Sequence, residues 1–142
     1  MTKYYHCEDD DFKNFVREQL MFHKVVEVHQ MNDDQTAELV LDNGVVLVAE
    51  GNEGCGGCGN GWYYLSALNT CDNAITNVEF VESGDEEVFS IFVYSTDNRI
   101  NLLTYEGYDN GYYGVGYTIH AKTGVDKPPI LYYNKDTKKE RK

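Results

Sequence analysis

Cys55-Gly56-Gly57-Cys58, with Gly59 directly after it, has the form of a metal knuckle. Two thiolates at that spacing can reach one ion, and a glycine after the second permits the turn that aims backbone amides at the sulfurs. Zinc normally takes four ligands, so the pair is half a site. Cys71, with Cys7 or His6 from the N-terminal arm, are the candidates for the rest. No second Cys-x-x-Cys and no His-x-x-x-His stands in the sequence, so small free thiols compete with structural zinc as the reading. Redox chemistry of the pair is disfavoured, because glycine and Trp62 follow where a reactive pair wants a helix.

The same stretch supports a second chemistry. Residues 50–62 hold six of the 13 glycines, and a segment that costs so much backbone entropy to order needs something to hold it. Backbone amides of Gly56, Gly57, Gly59 and Asn60 are candidates for a loose nest, and Trp62, Tyr63, Tyr64, Tyr112 and Tyr113 for faces on which a base stacks. Arg99, with Lys24 and Lys122, supplies the cations of the sheet region that would make such a pocket locally positive. No Gly-Lys-Ser/Thr follows the glycines, and Glu50 and Glu53 repel a phosphate. Twelve tyrosines against six phenylalanines suit a contact surface, although half-exposed strands favour tyrosine for their own reasons. The histidines at 6, 23, 29 and 120 share no spacing, and no catalytic signature is present, so enzymatic function has no positive support.

The elements that must position these residues come from a chain of 142 residues and 42% apolar content, enough for one domain with its own core. No run approaches the about eighteen apolar residues of a membrane span, and residues 1–5 lack a signal-peptide pattern, so a cytoplasmic protein without membrane contact is expected. A net charge of −12 disfavours direct nucleic-acid binding. It leaves either a solvated acidic surface or a phosphate-like one that meets a basic partner. Residues 1–133 read as a single globular domain and 134–142 as a flexible basic tail.

Phe12, Phe15, Val16, Gln19 and Leu20 recur at helical spacing behind Asp9-Asp10-Asp11, predicting one helix over about residues 10–22 with acids near its first-turn amides. Val26 and Val28 alternate with Glu27 and His29 as a strand. Residues 36–41 and 45–50 flank Asp42-Asn43-Gly44 as a hairpin. After a short aromatic strand at 62–65, strands at 75–82, 88–95, 99–106 and 112–120 follow with short connections, as in an antiparallel meander whose central member is 88–94. On the last of them Gly114 and Gly116 share a face. Curling of the sheet is the favoured reason and a group lying against bare backbone the other. The fold class is mainly β (α+β): a curved antiparallel sheet or small barrel of about 6–8 strands with one N-terminal α-helix.

The run 50–62, followed by Cys71-Asp72-Asn73-Ala74-Ile75-Thr76-Asn77-Val78, Arg99-Ile100-Asn101 and Gly111-Tyr112-Tyr113-Gly114, resembles a family of small uncharacterised domains encoded largely by bacteriophages. The likeness spans roughly residues 25–120. It implies an accessory protein acting in the cytoplasm of the infected bacterium, and it brings no catalytic residues with it. The combined expectation is a non-enzymatic counter-defence protein that sequesters a small nucleotide-derived signal. The alternative is an acidic, DNA-mimicking inhibitor of a host nuclease or other defence protein, and a metal-binding domain is a third reading. Strand edges and aromatics that must be covered make a homo-oligomer a further expectation.

Overall fold

The computed structural model describes residues 3–31, 35–52, 63–83, 87–107 and 116–122. The chain is mainly β: β1 (Tyr5–His6), α1 (Phe12–Leu20), β2 (Val25–Met31), β3 (Thr36–Leu41), β4 (Val46–Gly51), β5 (Tyr63–Leu68), β6 (Asn77–Ser83), β7 (Val88–Ser95), β8 (Asn98–Gly107) and β9 (Tyr117–Lys122). The strands form two antiparallel sheets, ordered β1-β9-β4-β3-β2 and β5-β8-β7-β6. The described residues therefore make two layers, and neither one continuous curved sheet nor a closed barrel. The expected meander breaks at its last member. β6, β7 and β8 pair in succession, but β9 leaves them and inserts between β1 and β4.

One core fills the space between the sheets. Leu39, Leu47 and Ile119 from the first sheet meet Phe89, Ile91, Leu103 and Tyr105 from the second, following the period-two alternation of each strand. α1 closes one open side, from β1 to β6. Its Phe12, Val16 and Leu20 are buried, Phe12 lies edge-on to Phe80 and Tyr117, and Phe15 stacks on Tyr5. The opposite side is joined by a reciprocal pair of backbone bonds between Val25 and Cys71, each 3.0 Å.

Local chemistry explains where the elements start and stop. The β3–β4 turn has Gly44 at φ 90°, and the Asn43 Oδ1 accepts the Val45 amide at 3.1 Å, as the Asn-Gly pair demands. The acids before α1 do other work than expected. Asp11 occupies the N-cap position without capping and pairs with Lys3 at 3.2 Å, while Asp9 accepts the His6 amide at 2.8 Å. In β2 a bulge between Val25 and Glu27 turns Val26 outward, so Val25 and Val28 face the core in place of the expected Val26 and Val28 pair. At Gly116, φ +73°, a Cβ would strike Cys7 Sγ and come within 3.2 Å of the Phe89 ring. A neighbouring group, rather than curling alone, requires glycine there. Gly114 lies outside the described residues, as do the basic tail and residues 128–133. No described helix is long and apolar enough to cross a membrane.

Candidate functional site

The register places the described residues that flank 32–34, 53–62, 84–86 and 108–115 side by side at one end of the two layers. Met31 pairs with Thr36 and Thr36 with Glu50, and the Gly51 amide donates to Gln35 O at 2.9 Å. Gly51 pairs with Tyr117, the Asn52 amide donates to Gly116 O at 3.0 Å, and the Tyr63 amide donates to Asn52 O at 2.8 Å. Tyr63 pairs with Gly107, whose amide donates to Glu87 O at 2.9 Å, and Ser83 pairs with Val88. The points where the chain enters and leaves segments 32–34, 53–62, 84–86 and 108–115 thus form one connected rim. Gly56, Gly57, Gly59, Asn60, Trp62, Cys55 and Cys58 belong to the second of these segments and Tyr112 and Tyr113 to the fourth; all lie outside the described residues.

Beneath the rim is a rigid base built from buried tyrosines. Tyr105 reaches across from β8 to the other sheet, and its hydroxyl contacts Gln35 O at 2.6 Å and Ala49 O at 3.0 Å. Its ring stacks on Tyr117 at 4.7 Å, and burial raises the ionisation of both phenols above the ordinary value, most strongly for Tyr117. Gln35 Nε2 donates to Tyr63 O at 2.8 Å, while its buried Oε1 has no hydrogen-bond partner among the described residues. A Cβ on Gly51 would strike Tyr63 O and come within 2.9 Å of the Tyr105 ring, so β4 ends where only glycine fits. Tyr63, Tyr105 and Tyr117 are at most 2% exposed. These tyrosines are core residues, not half-exposed strand residues or faces open to a base, and the Tyr105 hydroxyl is satisfied by backbone carbonyls.

Of the other residues singled out by sequence, Arg99 stands apart from Tyr63. It lies eight residues before Gly107 on β8, about 25 Å away along the strand, and it points to the outer face of its sheet. There it pairs with Glu79 at 2.9 Å, donates from Nε to the Tyr94 hydroxyl at 3.1 Å and covers the Phe92 ring at 3.8 Å. Hydrogen bonds from Tyr94 and Arg99 hold the Glu79 carboxyl below its usual range. Lys24 and Lys122 also belong to the far end. Lys24 O accepts the Asp42 amide at the β3–β4 turn, and Lys122 pairs with Val46 in the ladder and with Glu38 through a 3.2 Å ion pair.

The two described cysteines are not brought together. The Cys7 amide donates to Tyr117 O at the rim end, whereas Cys71 is bonded to Val25, opposite Leu41 at the other end, about 17 Å away along the strand direction. Burial pushes the Cys7 thiol up to about 12, and the Cys71 thiol donates to Asn73 O at 3.3 Å. No group of three or more metal-ligating side chains occurs among the described residues.

The rim's charge has one sign. Its strand ends carry Glu50, Glu82, Glu87 and Glu106, exposed or half-buried, and no lysine or arginine. In sequence, the segments between those ends add Asp33, Asp34, Glu53, Asp85, Glu86 and Asp109, again with no lysine or arginine. The sequence contains all of these acids in plain view, but only the strand register shows that Glu50, Glu82, Glu87 and Glu106 share a pole. No curated protein and no solved structure matches the chain. Residues 18–119 match the family model described as a domain of unknown function, DUF7448, and the chain belongs to that family.

Proposed function

We propose that the chain is a non-enzymatic, phage-type binding protein that counteracts bacterial defence as an acidic inhibitor, its rim occupying the nucleic-acid-binding surface of a basic host protein such as a nuclease. The observation that carries this reading is the uncompensated acidity of the rim's strand ends among the described residues, whereas the cations at the other end have Glu38, Asp42 and Glu79 as neighbours. Among the described residues its strand ends carry Glu50, Glu82, Glu87 and Glu106 and no lysine or arginine, while Lys24, Arg99 and Lys122 stand at the other end and Lys13 of α1 comes no nearer than the flank beside Glu82. A surface of one sign attracts a partner of the other and repels free nucleic acid. The phage origin and the counter-defence role rest on the resemblance of the 50–62 run and its companions.

Sequestration of a small nucleotide-derived signal is the second reading. It is favoured by the adjacency of residues 52, 63, 107 and 116, the described neighbours of the glycine segment and of the Tyr112–Tyr113 segment in the chain. It is weakened by the same charges, since an anionic ligand would meet glutamates and none of the three cations expected to receive it.

The experiment is capture from bacterial cells with the tagged protein and with a variant in which Glu50, Glu87 and Glu106 are glutamines. The expected result is a basic nucleic-acid-binding protein retained by the native chain, displaced by duplex DNA, and lost with the variant. Calorimetry against a cyclic dinucleotide and ADP-ribose should be silent. Stoichiometric heat with either, unchanged in the variant, would replace the first reading by the second.

A further inference from the structure

Four strands form the sheet edges among the described residues, and three of them carry a feature that blocks further pairing. β1 is two residues long, β2 has its bulge at Val25–Glu27, and β5 has a bulge between Leu65 and Ala67. β6 has none. Its seven residues run in unbroken register with β7 from Asn77 to Ser83, and it contains neither proline nor lysine. A groove of about 350 Å³ lies along it, lined by Asn77 to Phe80 of the strand, Tyr94, and Lys13 and Arg17 of α1. The Val78 amide turns away from β7 and is taken by Asn77 Oδ1 at 2.9 Å. Alternation along the strand then puts the backbone groups of Phe80 and Glu82 on the same free edge.

Charge selects the occupant. Lys13 and Arg17 lie over the Phe80 ring, at 5.8 and 5.0 Å, and neither makes an ion pair among the described residues. In a chain with 24 acids and 12 bases, two unpaired cations one helical turn apart beside an open strand call for an incoming strand that carries an acid. β6 is such a strand. The basic residues 134–142 are not.

We propose that two copies of the chain pair antiparallel through β6, about a two-fold axis at Phe80, so that their four-stranded sheets join into one. This is the register in which all seven residues overlap, Asn77 with Ser83 and Val78 with Glu82 of the second copy. It is also the one that sets edge-facing residues opposite each other. Glu82 shares the Phe80 face, on which α1 lies. Beside Val78 of the other copy it comes to that copy's Arg17, and symmetry repeats the contact. The dimer takes up one rim glutamate, Glu82, and leaves Glu50, Glu87 and Glu106 outside the joined edge.

Sedimentation equilibrium of the full chain should give twice the 16.2 kDa chain mass at micromolar concentration. Arg17→Glu and Glu82→Arg should each weaken the dimer about tenfold or more, and the double exchange should restore most of the loss. Circular dichroism matching the native spectrum verifies that each variant is folded, and slowed amide exchange at Phe80 on dimerisation gives a readout independent of charge. A monomer at hundreds of micromolar, or a dimer indifferent to both single exchanges and without protection at Phe80, would overturn the proposal.

Discussion

Removing one oxygen from the base of the rim is the sharpest structural test. In Tyr105→Phe the ring keeps its place against Tyr117, so no large cavity opens, and the change isolates the hydroxyl. That hydroxyl has one proton and two carbonyl neighbours, Gln35 O at 2.6 Å and Ala49 O at 3.0 Å. A net hydrogen bond contributes about 1 kcal/mol, and a buried acceptor left without a donor adds about 1–3 kcal/mol. Gln35 O retains the Gly51 amide at 2.9 Å, which keeps the expected loss near the lower end, at about 1–2 kcal/mol. For a domain of this size that is about 3–6 °C in Tm. Urea unfolding should show a lower midpoint at unchanged m, while the control Tyr64→Phe, on a half-exposed ring, should stay within about 0.5 kcal/mol. Because burial raises the ionisation of Tyr105 and Tyr117, native stability is held below about pH 10 and is lost as pH rises further; the variant should lose it less steeply. A variant as stable as the native chain would refute the view that this hydroxyl ties the two sheets together.

Gly116→Ala combines a left-handed backbone with a clash against Cys7 Sγ, and it should cost about 2–4 kcal/mol in urea unfolding. A loss under about 0.5 kcal/mol would contradict the close approach. Cys7, buried and held protonated with its thiol near 12, should resist iodoacetamide at pH 8 until the chain is unfolded; peptide mapping by mass spectrometry that finds it labelled in the native state would contradict its placement. His120 is 8% exposed and lies against the Tyr4 ring at a tilt, and burial, partly opposed by Glu50, lowers its pKa. The unfolded chain therefore binds the proton more readily, so stability should fall as pH drops below about 6.5, and His120→Phe should flatten that slope. An identical pH profile for the variant would remove His120 from the account.

What could be seen in the sequence followed local periodicity. The β3–β4 hairpin, the spacing of Phe12, Val16 and Leu20, and the strands at 88–95 and 98–107 all come from patterns within a few residues of each other. What could not be seen is decided at long range. Nothing within residues 112–120 says that β9 pairs with β4 rather than β8, because its alternating face would suit either sheet. The bulge that swaps Val26 for Val25 leaves no trace in an apolar pair. The isolation of Arg99 from Tyr63 required the register of β8, and the acidic pole required the register of every strand. Lys13 and Arg17 did carry a signal, two cations at helical spacing in an acidic chain, but its meaning depends on β6 being an edge.

The central claim is that this acidic rim is where the molecule meets a basic partner. Its most direct measurement is the affinity for the captured partner between about 0.1 M and about 1 M salt, over which the screening length falls from about 10 to about 3 Å. The native chain should lose affinity steeply across that range, and the variant with glutamine at 50, 87 and 106 should start weaker and fall less. An affinity that neither salt nor those three substitutions alters would contradict the claim.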